Sequence, residues 1–197
     1  MRYKIPFAVS GQRVGLLGGS FDPAHAGHVA LTHAAFQRFG LDQIWWLVTP
    51  GNPLKSKGPA DLAARMAQAQ NIMHHPRVHI THLETALGTR YTADSLRAIG
   101  HLYPRVAFTW VMGADNLANF HHWHDWTWIM QNMPIGVLAR PGLRTAALWS
   151  KAAQIYRPYR VAGHALAHQQ APAWAFENFP MRADSSTAIR ATGGWQT

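Results

Sequence analysis

Short apolar runs alternate along this chain with longer segments of helical periodicity. Residues 14–17 and Gln43–Val48 are apolar runs of strand length, typical of buried parallel strands. Between them, apolar residues recur at roughly 3.6-residue spacing over 29–39, and Gly40 follows as a helix stop. This order of strand, helix and strand predicts a βαβ unit with a right-handed crossover, and therefore a parallel sheet.

The same pattern continues to the end of the chain. It predicts four further strands, at Val78–Thr81, 106–112, Ile135–Ala139 and 174–179, and helices over 61–74 and 146–156. A further helix begins near Thr92, with Thr92 or Asp94 as its cap. The fold class is therefore α/β, with a doubly wound parallel sheet. Such sheets bind their ligands over the carboxyl ends of the strands.

The first strand runs into a glycine turn, residues 18–24, and then into His25 and His28. A strand, a glycine turn and a helix start together present backbone N–H groups to phosphate. His25 and His28 are three positions apart, so they share one face of the first helical turn. Imidazoles donate hydrogen bonds to phosphate oxygens, and a protonated one balances charge that develops in a transition state. The stretch predicts a phosphate site with two histidines.

Two other glycine motifs and one zinc motif do not fit this stretch. The glycine spacing matches neither G-x-G-x-x-G nor G-x-x-x-x-G-K-[ST]. The two histidines have no glutamate between them and are not at the spacing of H-E-x-x-H, so a zinc site has little support.

Composition narrows the class of protein. At 197 residues and 48% hydrophobic, the chain suits one globular domain, which we expect over 13–197 after a poorly ordered leader over 1–12. No apolar run reaches the ~18 residues of a membrane helix. The net charge of +9 favours an anionic partner, but the basic residues are scattered, unlike those of most nucleic-acid binders. The absence of cysteine excludes disulfides and cysteine nucleophiles and is compatible with the cytoplasm, where we place the protein.

The stretch G-G-S-F-D-P-x-H-x-G-H at 18–28 resembles the signature of the nucleotidylyltransferase superfamily. More narrowly, it is similar to bacterial nicotinate-mononucleotide adenylyltransferases. Residues 184–190 resemble the family's I-S-S-T-x-I-R, with Asp184 in place of its apolar first residue. The resemblance covers about residues 13–191 and implies a Rossmann-like nucleotidylyltransferase fold. The family normally continues with a further segment, so we expect a shortened C-terminal tail here.

The resemblance implies transfer of the adenylyl group of ATP to nicotinate mononucleotide, giving deamido-NAD and pyrophosphate. It implies catalytic roles for His25, His28 and Arg190. The implied ATP and phosphate residues are Gly18, Gly19, Ser20, Phe21, Lys55, Asp115, Ser186 and Thr187. The implied mononucleotide residues are Asn52, Tyr91, Thr92, Trp123 and Arg140. Magnesium is implied by the triphosphate, and without a carboxylate cluster the ion is expected on phosphates and water rather than on protein ligands.

Several of these residues have plainer structural interpretations. Tyr91 suits a core position, and Asp115 suits the N-cap of the helix after the fourth strand. His121, His122 and His124 invite a metal site, but their spacing on a helix splays them, so exposed or half-buried histidines are favoured. Trp126 and Trp128 are expected in the core.

Three other functions stay open. The first is another H-x-G-H nucleotidyltransferase, of the phosphopantetheine or glycerol-phosphate type. The second is a nucleotide sensor without catalysis, and the third is a nucleic-acid-binding protein that uses the positive charge. We expect small-molecule partners, ATP and the mononucleotide, and neither nucleic acid nor membrane. The choice between nicotinate and nicotinamide and the oligomeric state are left open by the sequence.

Overall fold

The predicted parallel sheet is confirmed. The computed structural model describes residues 5–50, 58–139, 144–179 and 186–192, together with Trp195. The strands in these ranges are β1 (Arg13–Gly19), β2 (Gln43–Val48), β3 (Val78–Thr81), β4 (Ala107–Gly113), β5 (Ile135–Ala139) and β6 (Trp174–Asn178). They form one six-stranded sheet in the order β3-β2-β1-β4-β5-β6, with every neighbouring pair parallel.

The direction in which the sheet grows reverses beside β1. The chain builds β1, β2 and β3 outward on one side, then crosses to β4 and builds β5 and β6 on the other. In such a doubly wound sheet a crevice opens between the carboxyl ends of the two strands at the reversal. The reversal therefore places the candidate site above β1 and β4.

Helices cover both faces of this sheet. Those in the described ranges are α1 (Ala26–Phe39), α2 (Leu62–Ile72), α3 (Leu83–Leu87), α4 (Thr92–Leu102), α5 (Ala114–Asn119), α6 (Trp126–Asn132), α7 (Arg144–Leu148), α8 (Lys151–Ile155) and α9 (Ser186–Ala191). Successive strand residues point to opposite faces. Leu16 therefore packs with α4, α5 and α6, whereas Leu17 packs with α1 and α2. Trp45 and Trp46 are likewise buried on opposite faces.

Several element boundaries match the predictions. β2, β3 and β5 have the predicted bounds. α1 ends at Phe39 and is followed by Gly40, whose φ of 64° lies in the left-handed region that glycine adopts without strain. α2 begins after Asp61, whose carboxylate accepts hydrogen bonds from the N–H groups of Ala63 and Ala64.

The single helix predicted over 146–156 is wrong. Two short helices, α7 and α8, stand there, because the Ser150 hydroxyl caps a new helix by accepting from the N–H of Ala153. α3 was not predicted either, since five residues are too few to show a 3.6-residue period.

Residues 5–12 contact the domain. The Tyr103 hydroxyl donates to the carbonyl of Pro6 at 2.7 Å, and the N–H of Gly11 donates to the carbonyl of Arg105 at 2.6 Å. The division into a leader and one domain stays a prediction. Among the described helices, none is long and apolar enough to cross a membrane.

Candidate active site

A cavity of about 610 Å³ opens over the carboxyl ends of β1 and β4. One wall is the turn after β1, a second is the segment from α3 to the start of α4, and a third runs from the end of β4 to residue 124. Nine predicted site residues line it: Gly18, Gly19, Ser20, Phe21, His28, Tyr91, Thr92, Asp115 and Trp123. The sheet therefore brings the predicted phosphate and mononucleotide residues to one hollow.

The turn after β1 is held by an aromatic stack. Phe21 has a φ of 47° and is 1% exposed. Its ring lies 4.7 Å from Trp46, nearly parallel to it, and 4.7 Å from the His28 ring. A left-handed backbone is strained for a bulky residue and persists where packing compensates. The stack therefore gives the turn one conformation and seats His28 against it.

His25 and His28 cap helix α1 with their own rings. His25 Nδ1 accepts from the N–H of Gly27 at 3.1 Å, and His28 Nδ1 accepts from the N–H of His25 at 3.2 Å. A neutral ring whose Nδ1 accepts carries its hydrogen on Nε2. The rings lie 4.0 Å apart, His28 lines the cavity, and His25 is buried beside it. The caps thus assign Nε2–H as the donor of each imidazole, a detail that spacing alone did not predict.

Position 18 requires glycine because the backbone lies close to the Trp110 side chain, not because the chain turns there. A Cβ atom on this residue would lie 2.4 Å from Cη2 of Trp110. The indole is rigid and only 2% exposed, so it has little room to move. Gly18 therefore lets β1 pass against Trp110 on the floor of the cavity.

We expect Gly18→Ala to lower the free energy of unfolding by about 1–3 kcal/mol, because the added methyl overpacks this contact. Gly100→Ala is the matched control, since Gly100 stands inside α4 and, among the described residues, its added Cβ would meet no atom within 4 Å apart from its chain neighbours and the backbone of its own helix. That change should raise the free energy of unfolding by about 0.5–1 kcal/mol. Urea unfolding of both variants measures these free energies. Equal changes for the two variants would contradict the predicted clash with Trp110.

The C-terminal motif meets the turn after β1. The Ser186 hydroxyl donates to the carbonyl of Pro23 at 3.0 Å. Arg190 donates from Nη1 to the carbonyl of Asp22, and the same nitrogen lies 3.6 Å from the Asp22 carboxylate. Thr187 is exposed and its hydroxyl accepts from Arg190 at 3.4 Å. The structure therefore brings Arg190, Ser186 and Thr187 next to the histidine turn.

Asp22 joins these segments, a role that the sequence did not reveal. Its carboxylate Oδ1 accepts from the N–H of Ala60 at 3.3 Å and from Trp195 Nε1 at 2.8 Å. The side chain is 6% exposed. Within the described residues, Asp22 thus connects the start of α2, helix α9 and Trp195.

Arg65 holds the ends of β1 and β2 together. It is 1% exposed, and its guanidinium donates to the carbonyls of Ala60, Ser20 and Thr49 at 2.8, 2.7 and 2.7 Å. Burial lowers the pKa of this guanidinium. The hydrophobic pattern does not distinguish this arginine from an exposed one, and its burial appears only in the fold.

The wall at the start of α4 differs from the predicted cap. Thr92 is the first helical residue, Tyr91 is the N-cap, and neither Thr92 nor Asp94 caps the helix by its side chain. Asp94 instead forms an ion pair with Arg97 at 3.0 Å. Tyr91 is 37% exposed and its ring lies 4.5 Å from that of His124, so it is a rim residue rather than a core residue.

Asp115 lines the cavity but does not cap α5. Gly113 is the N-cap, because α5 begins at Ala114, two residues earlier than the prediction requires. A Cβ on Gly113 would lie 2.4 Å from Asp115 Oδ1, so glycine makes room for this carboxylate. Asp115 thus remains available to a ligand in the cavity.

Trp123 is half-buried against the core. Its ring meets Trp110 and Phe120 edge-on at 6.3 and 5.1 Å, and the residue lines the cavity. Trp126 and Trp128 also pack against the core but are half-buried, and Arg97 covers the Trp128 ring at 4.2 Å.

The neighbouring histidines have the predicted exposure. His121 is half-buried, whereas His122 and His124 are exposed and line the mouth of the cavity. In the described ranges, no group of three or more His, Asp or Glu side chains lies close enough to hold a metal ion. Asn52, Lys55 and Arg140 lie outside the described residues.

Glu84 is a cavity residue that the sequence did not single out. It stands on α3, is 5% exposed and lines the cavity beside Tyr91 and Thr92. Burial raises the pKa of its carboxyl to about 7, although a hydrogen bond from Ser95 opposes the shift. No pattern in the sequence distinguishes this carboxylate from an exposed one.

Comparisons with known proteins agree with this geometry. Residues 16–192 match the model of the cytidylyltransferase-like family. Probable nicotinate-nucleotide adenylyltransferases of Ruegeria pomeroyi and Roseobacter denitrificans are 57% and 56% identical over 198 residues, covering 99% of this chain and 93% and 100% of theirs. The structure of Plasmodium falciparum nicotinic acid mononucleotide adenylyltransferase complexed with NaAD is similar in fold, with a TM-score of 0.70 at 16% identity, covering 91% of this chain and 83% of that one. The resemblance noted in the sequence is confirmed: the chain belongs to the cytidylyltransferase-like family and, within it, to the nicotinate-nucleotide adenylyltransferases, which are nucleotidyltransferase enzymes.

Proposed function

We propose that this protein transfers the adenylyl group of ATP to nicotinate mononucleotide, releasing pyrophosphate and deamido-NAD. The observation that carries the proposal is the meeting of the two family motifs at Asp22 and Pro23, beside a cavity that Trp123 and Thr92 also line. A triphosphate held at the motifs and a pyridine held at Trp123 share this hollow. We place the reaction in the cytoplasm and propose no nucleic-acid or membrane partner.

The chemistry needs no protein nucleophile. A phosphate oxygen of the mononucleotide attacks the α-phosphorus of ATP, and the bond from that phosphorus to the bridging oxygen breaks. Pyrophosphate leaves with the electron pair. Catalysis is then positioning and stabilisation of charge on the α-phosphoryl oxygens. His28 Nε2–H is the proposed donor to these oxygens, with His25 Nε2–H beside it.

The remaining residues bind the substrates. Backbone N–H groups of Gly18, Gly19, Ser20 and Phe21 hold phosphate, while Arg190, Ser186, Thr187 and Lys55 hold the β- and γ-phosphates. ATP is the magnesium complex, with the ion on phosphate oxygens and water. Asp115 accepts from a ribose hydroxyl. Trp123 stacks on the pyridine ring, with Tyr91, Thr92, Asn52 and Arg140 around the mononucleotide.

Pyrophosphate release tests this proposal. We expect release from MgATP to require a pyridine mononucleotide and to be faster with nicotinate mononucleotide than with nicotinamide mononucleotide. Phosphopantetheine and glycerol phosphate are assayed in parallel in place of the mononucleotide. Release with either of these alone would assign a different nucleotidyltransferase, and ATP binding without release would assign a sensor.

A further inference from the structure

Glu84 is a buried carboxyl that the proposed chemistry does not use. It is 5% exposed, yet it borders the cavity on the side where Tyr91 and Thr92 stand. A buried ionisable group costs free energy unless hydrogen bonds or charges compensate. Its partners therefore indicate what it does.

The Glu84 carboxyl is part of a hydrogen-bond network with Thr89 and Ser95. The Ser95 hydroxyl donates to Glu84 Oε1 at 2.8 Å, and the Thr89 hydroxyl lies 2.8 Å from the Ser95 hydroxyl. The N–H of Thr89 donates to the Glu84 carbonyl at 3.1 Å. Ser95 is fully buried, and its N–H donates to the carbonyl of Tyr91 at 3.1 Å. Glu84 thus links α3 to the first turn of α4, and the segment held between them is Thr89–Thr92.

That segment is part of the proposed mononucleotide subsite. Arg90, Tyr91 and Thr92 all line the cavity. Within the described residues, no side chain caps α4. The hydrogen bond from Ser95 to Glu84, together with the backbone bond from Thr89 to the Glu84 carbonyl, therefore ties the subsite wall to α3.

Glu84 lines the cavity together with other ionisable residues. The other charged or titratable groups lining the described part of the cavity are Arg90, Asp115, His28, Tyr91, His122 and His124. β2, which packs on α3, carries no ionisable residue, and α4 carries Asp94, Arg97 and His101. Asp94 and Arg97 form an ion pair with each other, and the His101 ring bonds the carbonyl of Arg97.

We propose that Glu84 is a positioning residue for the mononucleotide subsite: through Ser95 it holds the Arg90–Thr92 wall, and its ionisation weakens the binding of an anionic pyridine nucleotide. This inference rests on the proposed function. Because burial raises the pKa of the carboxyl to about 7, it is mostly neutral at pH 6 and mostly charged at pH 8. A charged carboxylate in this cavity repels a mononucleotide that carries a phosphate and a carboxylate.

Two substitutions separate positioning from charge. Glu84→Gln keeps the shape and the acceptor for Ser95, and Glu84→Leu removes the acceptor. We expect the KM for nicotinate mononucleotide of Glu84→Gln to equal that of the wild type at pH 6 and to be about five- to tenfold lower at pH 8.5. The substrate is the same for both proteins, so the ratio of the two KM values at each pH isolates Glu84. For Glu84→Leu, which also carries no charge, we expect that KM to be about tenfold higher than for Glu84→Gln at every pH, with the KM for MgATP within twofold of the wild type.

Glu177→Gln is the matched control, because the Glu177 carboxylate also accepts a hydrogen bond, from the N–H of Gly163, but lies on β6 outside the cavity lining. Its KM values should match the wild type. If the KM of Glu84→Gln for nicotinate mononucleotide equals that of the wild type at every pH from 6 to 8.5, the proposed effect of the Glu84 charge is overturned. Equal changes in both KM values for Glu84→Leu would overturn the role in positioning.

Tryptophan fluorescence titration with nicotinate mononucleotide alone separates this inference from the proposed function. If the wild type binds the mononucleotide but releases no pyrophosphate, the proposed function fails, and the dissociation constants of the same variants then test Glu84. If the wild type does not bind the mononucleotide, both proposals are overturned.

Discussion

His28→Ala is expected to lower kcat for pyrophosphate release by about 10²–10⁴-fold, with a smaller change in the KM for MgATP. In the proposed mechanism, its Nε2–H donates to charge that appears on the α-phosphoryl oxygens only in the transition state. Because Nδ1 accepts from the N–H of His25, Nε2 is the nitrogen that carries the hydrogen for this donation. Steady-state kinetics with both substrates varied gives the two constants.

His28→Asn distinguishes catalysis from loss of the cap. The asparagine amide oxygen can replace Nδ1 as an acceptor but leaves nothing in place of Nε2–H. We therefore expect a loss in kcat close to that of the alanine variant with less loss of stability. His33→Ala, on an exposed position of the same helix, is the control and should keep wild-type kcat. Turnover of His28→Asn near the wild-type rate would remove Nε2–H from the mechanism.

Arg65→Met is expected to lower the free energy of unfolding by about 3–5 kcal/mol. Methionine fills a similar space but leaves the carbonyls of Ala60, Ser20 and Thr49 without the donors that they have in the wild type. This loss is a large part of the stability of an ordinary domain. Chemical denaturation followed by circular dichroism measures it.

Two further variants sharpen this test. Arg65→Lys keeps the charge, but a compact ammonium group cannot reproduce a planar guanidinium that reaches three carbonyls, so an intermediate loss is expected. Arg38→Met removes an exposed arginine at the end of α1 and should change stability by no more than about 0.5 kcal/mol. Similar losses for Arg65→Met and Arg38→Met would show that the buried bonds contribute little.

The strands were predictable because their signal is local. Buried parallel strands are continuous apolar runs, so β2, β3 and β5 have the predicted bounds. Helix α1 was equally predictable, since its apolar face and the glycine after it both indicate a helix that ends near Phe39. The prediction of one helix over 146–156 was wrong because its apolar spacing continues through Ser150, whereas the Ser150 hydroxyl caps a new helix there.

The sequence by itself determined the fold class, the family and the turn that carries His25 and His28, because each depends on short runs of residues whose spacing has one structural outcome. Only the tertiary structure decided that Arg190 meets Asp22, 168 positions away in the chain. It also decided that Arg65 and Glu84 are buried and that Asp115 and Thr92 cap no helix. Burial, ionisation and contact between distant segments depend on what surrounds a side chain, and the path of the whole chain sets those surroundings.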